Sequence, residues 1–199
     1  MDSEQNISED ARSKGKLGLI LVGVSGALVA GLYAIATPFV LPALRKVCLP
    51  YVPATTKQIE NVMKAIRGRK GNLIDIGSGD GRIVLAAAQN GFKSVGVELN
   101  PWLVWYSRIM ARNLKLSKQA QFYRQDLWKM NTSEFDNVVI FGVSQMMSDL
   151  EDKLSKELHP HSRIVACRFP FPTWNAVDII GEGVDTVWIY DYKCDQHRK

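Results

Sequence analysis

The stretch LIDIGSGDGRIVLA, residues 73–86, places Gly77, Gly79 and Gly81 at alternate positions after an acidic residue, Asp75, inside an apolar run. Glycines crowded in this way let the backbone approach a ligand with no Cβ in between. The dinucleotide fingerprint, G-x-G-x-x-G, aims a helix N-terminus at a pyrophosphate. Here the third glycine comes one residue sooner, and a carboxylate two residues before the first glycine repels a pyrophosphate. It suits an ammonium instead. S-adenosylmethionine carries an α-amino group, a sulfonium, a ribose and an adenine, and no phosphate. On that chemistry Asp75 serves the amino end, directly or through water. Gly77, Ser78, Gly79 and Gly81 carry the backbone along the methionine and ribose portion. Acids also end the next two apolar runs. Glu98 is an acceptor pair for the two ribose hydroxyls. Asp126 accepts from the adenine amino group, and Leu127 offers the neighbouring backbone N–H. Trp128 packs on the adenine or into the core. A dinucleotide-binding or non-binding domain of the same architecture is the alternative.

These residues need a frame, and the hydrophobic pattern supplies one. Thr55 to Ile66 reads as a helix with a Thr55–Gln58 capping box, Ile59, Val62, Met63 and Ile66 sharing a face. The runs NLIDIG, KSVGVEL, AQFYRQD, NVVIFGV and SRIVACRF read as strands. RIVLAAAQN is a helix, and Asn100-Pro101 starts another as N-cap and first turn. Met147, Leu150, Leu154 and Leu158 mark a further helix. AVDIIGEGVDTVWIYDY reads as a terminal hairpin turned at Gly181-Glu182-Gly183. Alternation of strand and helix gives an α/β fold, a mostly parallel sheet with helices on both faces. Ligands bind such sheets beyond the carboxyl ends of the strands. Asp75, the glycine loop, Glu98, Asp126, Gly142-Val143 and Phe169 all fall on that edge.

The chain has 199 residues and a formal net charge of +5, enough for one sizeable domain with a short appendage. That mild excess favours an anionic surface such as a lipid headgroup layer. No dense Lys/Arg stripe interleaved with aromatics appears, which argues against nucleic acid. Cys48, Cys167 and Cys194 form neither a disulfide framework nor a zinc spacing, and His159 and His161 lack a third ligand at a metal-binding spacing. No metal is expected. From Leu17 to Leu44 there is no charge. About twenty residues of this run, at about 1.5 Å each, cross a hydrocarbon core of roughly 30 Å. Pro38 and Pro42 end or kink the helix. A cleaved signal peptide is the rival, because Ala34-Ile35-Ala36 is an A-x-A site. The resulting division is a disordered segment 1–16, a transmembrane or membrane-anchor segment 17–44, a linker 45–54, a catalytic domain 55–192 and a tail 193–199.

The stretches DIGSGDGR, VGVELNPWLVWYSR, DLWK, VVIFGVSQMM and RFPFPTW, with ATPFVLPALRKVCLPYVPATTKQIENV before them, resemble a small family of membrane-anchored mitochondrial lysine methyltransferases. The resemblance runs from about Gly15 to Tyr190. It implies a seven-stranded, Rossmann-like class I methyltransferase fold preceded by one transmembrane helix, with S-adenosylmethionine as donor. It also implies a single-pass or tightly anchored place in the mitochondrial inner membrane and a membrane-protein lysine as acceptor, the c subunit of ATP synthase, with the adenine nucleotide translocase as the alternative. Many amino-methylating relatives carry an Asn- or Asp-Pro-Pro-aromatic tetrapeptide after the fourth strand. This chain has Phe141, Gly142, Val143 and Ser144 there, which leaves backbone carbonyls rather than a side chain to meet the amine. Phe169 and Phe171 could wall a lysine channel, and Tyr51 and Pro53 could close over the cofactor; for each a rigid apolar loop is the other reading. A methyltransferase for a membrane-associated small molecule, or a non-catalytic binding module, remains open on sequence alone.

Overall fold

The computed structural model describes residues 2–40 and 52–192. The chain divides into two compact units, Met1–Leu44 and Arg45–Lys199.

The first unit is a helix, α1 (Asp2–Val40). It takes in residues 2–16, expected above to be disordered. A helix nucleated by an apolar run extends at one hydrogen bond per added residue, so a polar stretch next to it is drawn in. Gly18–Thr37 has a mean hydropathy of 2.3, and none of it is buried within the molecule. Ser25 Oγ donates to Leu21 O at 2.8 Å, and Thr37 Oγ1 to Tyr33 O. Both hydroxyls are thus satisfied within the helix. Pro38 sits in the last turn without ending the helix before Val40. Cys48, Tyr51, Cys194 and the linker up to residue 51 lie outside the described residues.

The second unit alternates as its pattern predicts: α2 (Thr56–Ala65), β1 (Asn72–Ile76), α3 (Arg82–Gln89), β2 (Lys93–Glu98), α4 (Pro101–Asn113), β3 (Ala120–Arg124), β4 (Asn137–Phe141), α5 (Met147–Glu157), β5 (Arg163–Cys167), β6 (Asp178–Ile180) and β7 (Val187–Asp191). The strands form one sheet in the order β3-β2-β1-β4-β5-β7-β6. The first five strands run parallel, and β7 pairs antiparallel with β5 and β6. Order reverses at β1, so the carboxyl ends of β1, β2 and β4 frame the crevice. One face packs Leu150 and Leu154 of α5 on Ile74, Ile76, Val138, Ile140 and Ile164. The other packs Val62 of α2, Ile66 just after it and Ile83 of α3 on Leu73, Val139 and Val165.

Helix starts follow their capping residues. Asn100 Oδ1 accepts from Trp102 N at 3.0 Å, with Pro101 at the first turn. Thr55 Oγ1 accepts from Gln58 N at 3.0 Å. The capping box is only half made, however. The Gln58 amide donates to Val184 O at 3.0 Å, and Asn61 Nδ2 donates to Asp185 O at 3.0 Å. A tertiary partner has displaced a local one, and α2 thereby clamps the turn of the terminal hairpin.

Phe122 of β3 fixes the glycine loop from the side. A Cβ on Gly96 would meet Phe122 Cδ1 at 2.7 Å, and one on Gly81 (φ +81°) would meet Phe122 Cε1 at 2.5 Å. Gly81 is therefore small for protein packing, not for a ligand. Gly68 (φ +76°) shares the left-handed backbone but has nothing within 4 Å. Gly68→Ala should cost about 1–2 kcal/mol of backbone strain. Gly81→Ala should add about 1–3 kcal/mol of overpacking. Thermal unfolding of the two variants side by side measures the difference; equal losses would mean that the Phe122 contact does not limit the loop.

Candidate functional site

The loop after β1 is tied down along its length. Gly77 N and Ser78 N both donate to Val97 O, at 3.0 and 3.1 Å, and Gly81 N donates to Ser78 O at 2.8 Å. Gly77, Gly79 and Gly81 all have positive φ, which only glycine adopts without strain. Glu98, at the end of β2, bridges the loop to α4. Its Oε2 accepts from Gly79 N at 3.2 Å and its Oε1 from Asn100 N at 2.8 Å.

Asp75 lies beneath this loop, 1% exposed. Its register neighbours on β2 and β4 are Gly96 and Val139, neither of which offers a side-chain donor. Its Oδ1 has no hydrogen-bond partner, and neither does Ser78 Oγ. Burial, then the carboxylates of Glu98 and Asp80, push Asp75 up to about 8. Burial also raises Glu98, against the downward pull of the Asn100, Gly79 and Leu99 backbone N–H groups. A buried, unpartnered carboxyl among carboxylates is costly. It is the arrangement that a cationic ligand relieves, so the site fits the ammonium of S-adenosylmethionine.

Just after β3, Asp126 Oδ1 accepts from Trp128 N at 3.1 Å. One carboxylate oxygen thus caps the short turn Leu127–Lys129. Leu127 is buried and Trp128 is 40% exposed.

On the acceptor side, β4 ends against the donor loop: a Cβ on Gly77 would meet Phe141 O at 3.4 Å. Phe141, Val143 and Phe169 are half-buried, and Pro53 is exposed. Phe171 is placed elsewhere. It is buried, its N–H donates to Tyr190 Oη at 3.0 Å, and its ring packs on Trp174 and Tyr190 at 4.8 and 5.2 Å. It braces the loop after β5 from inside the core. Cys167 is a buried free thiol, raised by burial well above its ordinary value.

Two arginines join the site that spacing alone did not single out. Arg82 forms an ion pair with Asp80 and donates from Nη1 to Ala54 O at 2.7 Å. It thereby brings the segment before α2 to the glycine loop. Arg168, at φ +70°, holds its guanidinium 5.2 Å from the Phe141 ring centroid. The signal for it was a lone charge at the end of a buried strand.

Comparison with known proteins agrees with this geometry. The family model described as the ANTKMT methyltransferase domain matches residues 75–178. That of the N-terminal domain of the ATP synthase c-subunit lysine N-methyltransferase matches residues 14–45. The chain is 61% identical to the ATP synthase c-subunit lysine N-methyltransferase of Homo sapiens, over 89% of this chain and 76% of that one. It is 45% identical to the adenine nucleotide translocase lysine N-methyltransferase of Mus musculus, over 88% and 80%. Among solved structures, an RNA methyltransferase from Salinibacter ruber in complex with S-adenosylhomocysteine superposes with a TM-score of 0.67 at 27% identity, over 71% of this chain and 94% of that one.

The raised Asp75 makes donor binding a proton-linked event. Below pH 8 the free site holds a neutral carboxyl and the donor an ammonium, so pairing them expels a proton. Above about pH 8 the α-amino group, with a pKa of roughly 7.7–8.0, has lost its own proton, and pairing then draws one in. Titration calorimetry in buffers of different ionisation enthalpy should show nearly one proton released at about pH 6.5 and uptake at about pH 9.5. Asp75→Asn should abolish both and weaken binding about 10- to 100-fold, the worth of a hydrogen bond to a charged group. Binding heats independent of buffer in the wild type would remove Asp75 from this role.

Proposed function

Because the chain belongs to the family of protein-lysine N-methyltransferases that takes in the enzymes named for the ATP synthase c subunit and for the adenine nucleotide translocase, we propose that its acceptor is a lysine of the ATP synthase c subunit. The chain is an S-adenosylmethionine-dependent methyltransferase by domain and fold. The observation that carries the acceptor is the 61% identity to the human enzyme named for that subunit, together with the N-terminal match over residues 14–45.

Bound S-adenosylmethionine supplies an electrophilic methyl group for in-line displacement by a neutral amine. The chain's own residues do the rest. Asp75 meets the donor's ammonium, Glu98 its ribose hydroxyls, and Asp126 with Leu127 its adenine. The loop backbone at Gly77 and Gly79 lies along the methionine. A free lysine has a pKa of roughly 10.4 and arrives charged. Arg168, fixed over Phe141, sets a second cation on the acceptor side. Like charge and burial both favour the neutral, reactive amine. Backbone carbonyls at Phe141 and Gly142 are the acceptors at hand for the amine hydrogens. Catalysis on this reading is mainly alignment and exclusion of water.

The same reading takes α1 as an uncleaved, single-pass anchor in the mitochondrial inner membrane. Its length, its hydropathy of 2.3 and its internally satisfied hydroxyls support a bilayer span, and the resemblance to the anchored family supports the choice of membrane. An anchor confines the enzyme near an integral membrane substrate and raises the effective concentration.

Membranes from mitochondria lacking the enzyme, incubated with the full chain and methyl-labelled donor, test the acceptor. Expected is label on one lysine of the c subunit, located by mass spectrometry of the protease-digested protein and absent with Asp75→Ala. Label on the translocase, or label that stays with lipid after complete proteolysis, would overturn the proposal.

A further inference from the structure

Helix α4 turns an apolar face to water. A helix lying on a sheet normally buries its apolar stripe and shows polar residues outside. α4 buries Val104, Ser107 and Ala111, yet Trp102, Trp105 and Tyr106 are 40%, 60% and 46% exposed. With Ile109 they stand at i, i+3, i+4 and i+7, one continuous helical stripe. The rings of Trp102 and Trp105 meet edge to face with centroids 6.4 Å apart. Along the segment that carries this stripe the charge has one sign. From Asn100 to Gln125 there is no Asp or Glu, and Arg108, Arg112, Lys115, Lys118 and Arg124 are all exposed. These cations equal the formal excess of the whole chain, +5, so the remainder is balanced. The charge that looks mild along the sequence is gathered in one segment, beside aromatic rings.

We propose that this face of α4 lies against an anionic phospholipid interface. Indole and phenol rings favour the headgroup layer, and exposed Lys and Arg are drawn to anionic lipid within a Debye length. An exposed aromatic face flanked by cations is the mark of a helix that lies in the interface plane. The inference rests on the membrane reading of α1. Residues 41–51 have a covalent reach of no more than about 40 Å, so a bilayer that holds α1 is within reach of the domain. α4 starts at Asn100, whose N–H is held by Glu98. Docking this face therefore brings the donor-binding edge of the sheet to the lipid surface, where an integral membrane protein can present a lysine.

The full chain in vesicles of phosphatidylcholine and phosphatidylglycerol, with brominated or plain acyl chains, tests this by tryptophan emission. Two of the five tryptophans belong to the stripe, so brominated chains should remove roughly two fifths of the emission if the stripe sits at interfacial depth. Trp102→Phe/Trp105→Phe should abolish that loss while retaining donor binding. Arg112→Glu/Lys115→Glu, phosphatidylcholine alone, or raised salt should each reduce it. Equal emission in brominated and plain vesicles overturns the proposal, as does quenching that persists unchanged in the tryptophan variant. Emission that responds to added RNA or to the acceptor protein, but not to lipid, assigns the face to that partner and overturns it too. Carbonate extraction of the same vesicles reports on α1 separately. Protein retained without quenching removes the α4 contact and leaves the anchor; quenching with protein stripped by carbonate removes the anchor and leaves the contact.

Discussion

The carboxyl of Asp75 sits in a central strand of a parallel sheet with an apolar residue on one side and a glycine on the other. The charged groups that act on it, Glu98 and Asp80, are acids. The rest of the site makes sense as a consequence. A carboxyl held neutral in that way is pushed still further from ionising by any anion at the loop. It rewards a ligand that brings a cation. On the proposed role of Asp75, selectivity for a phosphate-free nucleoside donor comes from a local electrostatic deficit that folding has to tolerate.

What lets folding tolerate it is the rigidity of the surroundings. The loop cannot open toward water above Asp75, because it is hydrogen-bonded to Val97, capped by Glu98 and wedged by Phe122. Phe122 belongs to the edge strand, which the guanidinium of Arg108 in turn holds through Phe122 O at 2.7 Å. The donor loop at the middle of the sheet is therefore braced from its rim. On the opposite side, α2 grips the hairpin turn through Gln58 and Asn61, and Arg82 ties the segment before α2 to the loop. The segment before α2 and the terminal hairpin are thus both tied in through α2 and Arg82.

Much of this was legible in the chain. Strand and helix order, the N-cap at Asn100 and the terminal hairpin follow from periodicity and from Pro, Gly and Asn placed where only they serve. The acids at the strand ends stand out because apolar strands rarely finish on a charge. What could not be read was decided between segments distant in sequence. Gln58 has a local partner on paper and a better one across the fold. Gly81 looks like a ligand-facing glycine until Phe122 is brought against it. Phe171 and Phe169 are one motif in sequence, yet the bond from Phe171 N to Tyr190 Oη and the packing of the two rings hold Phe171 in the core. On α4 the aromatic spacing is helical, but which side of the helix meets the sheet depends on Val104 and Ala111 packing with β3.

Glu98 shows a further thermodynamic consequence of this construction. A free glutamate side chain gives up as much as about 1.5–2 kcal/mol of rotamer freedom when it is fixed. Here each carboxylate oxygen is already pinned by a backbone N–H, so that entropy is spent on folding and not again on recognition. Each oxygen still has a second lone pair for a hydroxyl. On the proposed role of Glu98 at the ribose, discrimination against a deoxyribose is consequently an enthalpic matter, set by hydrogen bonds made or missing against an immobile acceptor.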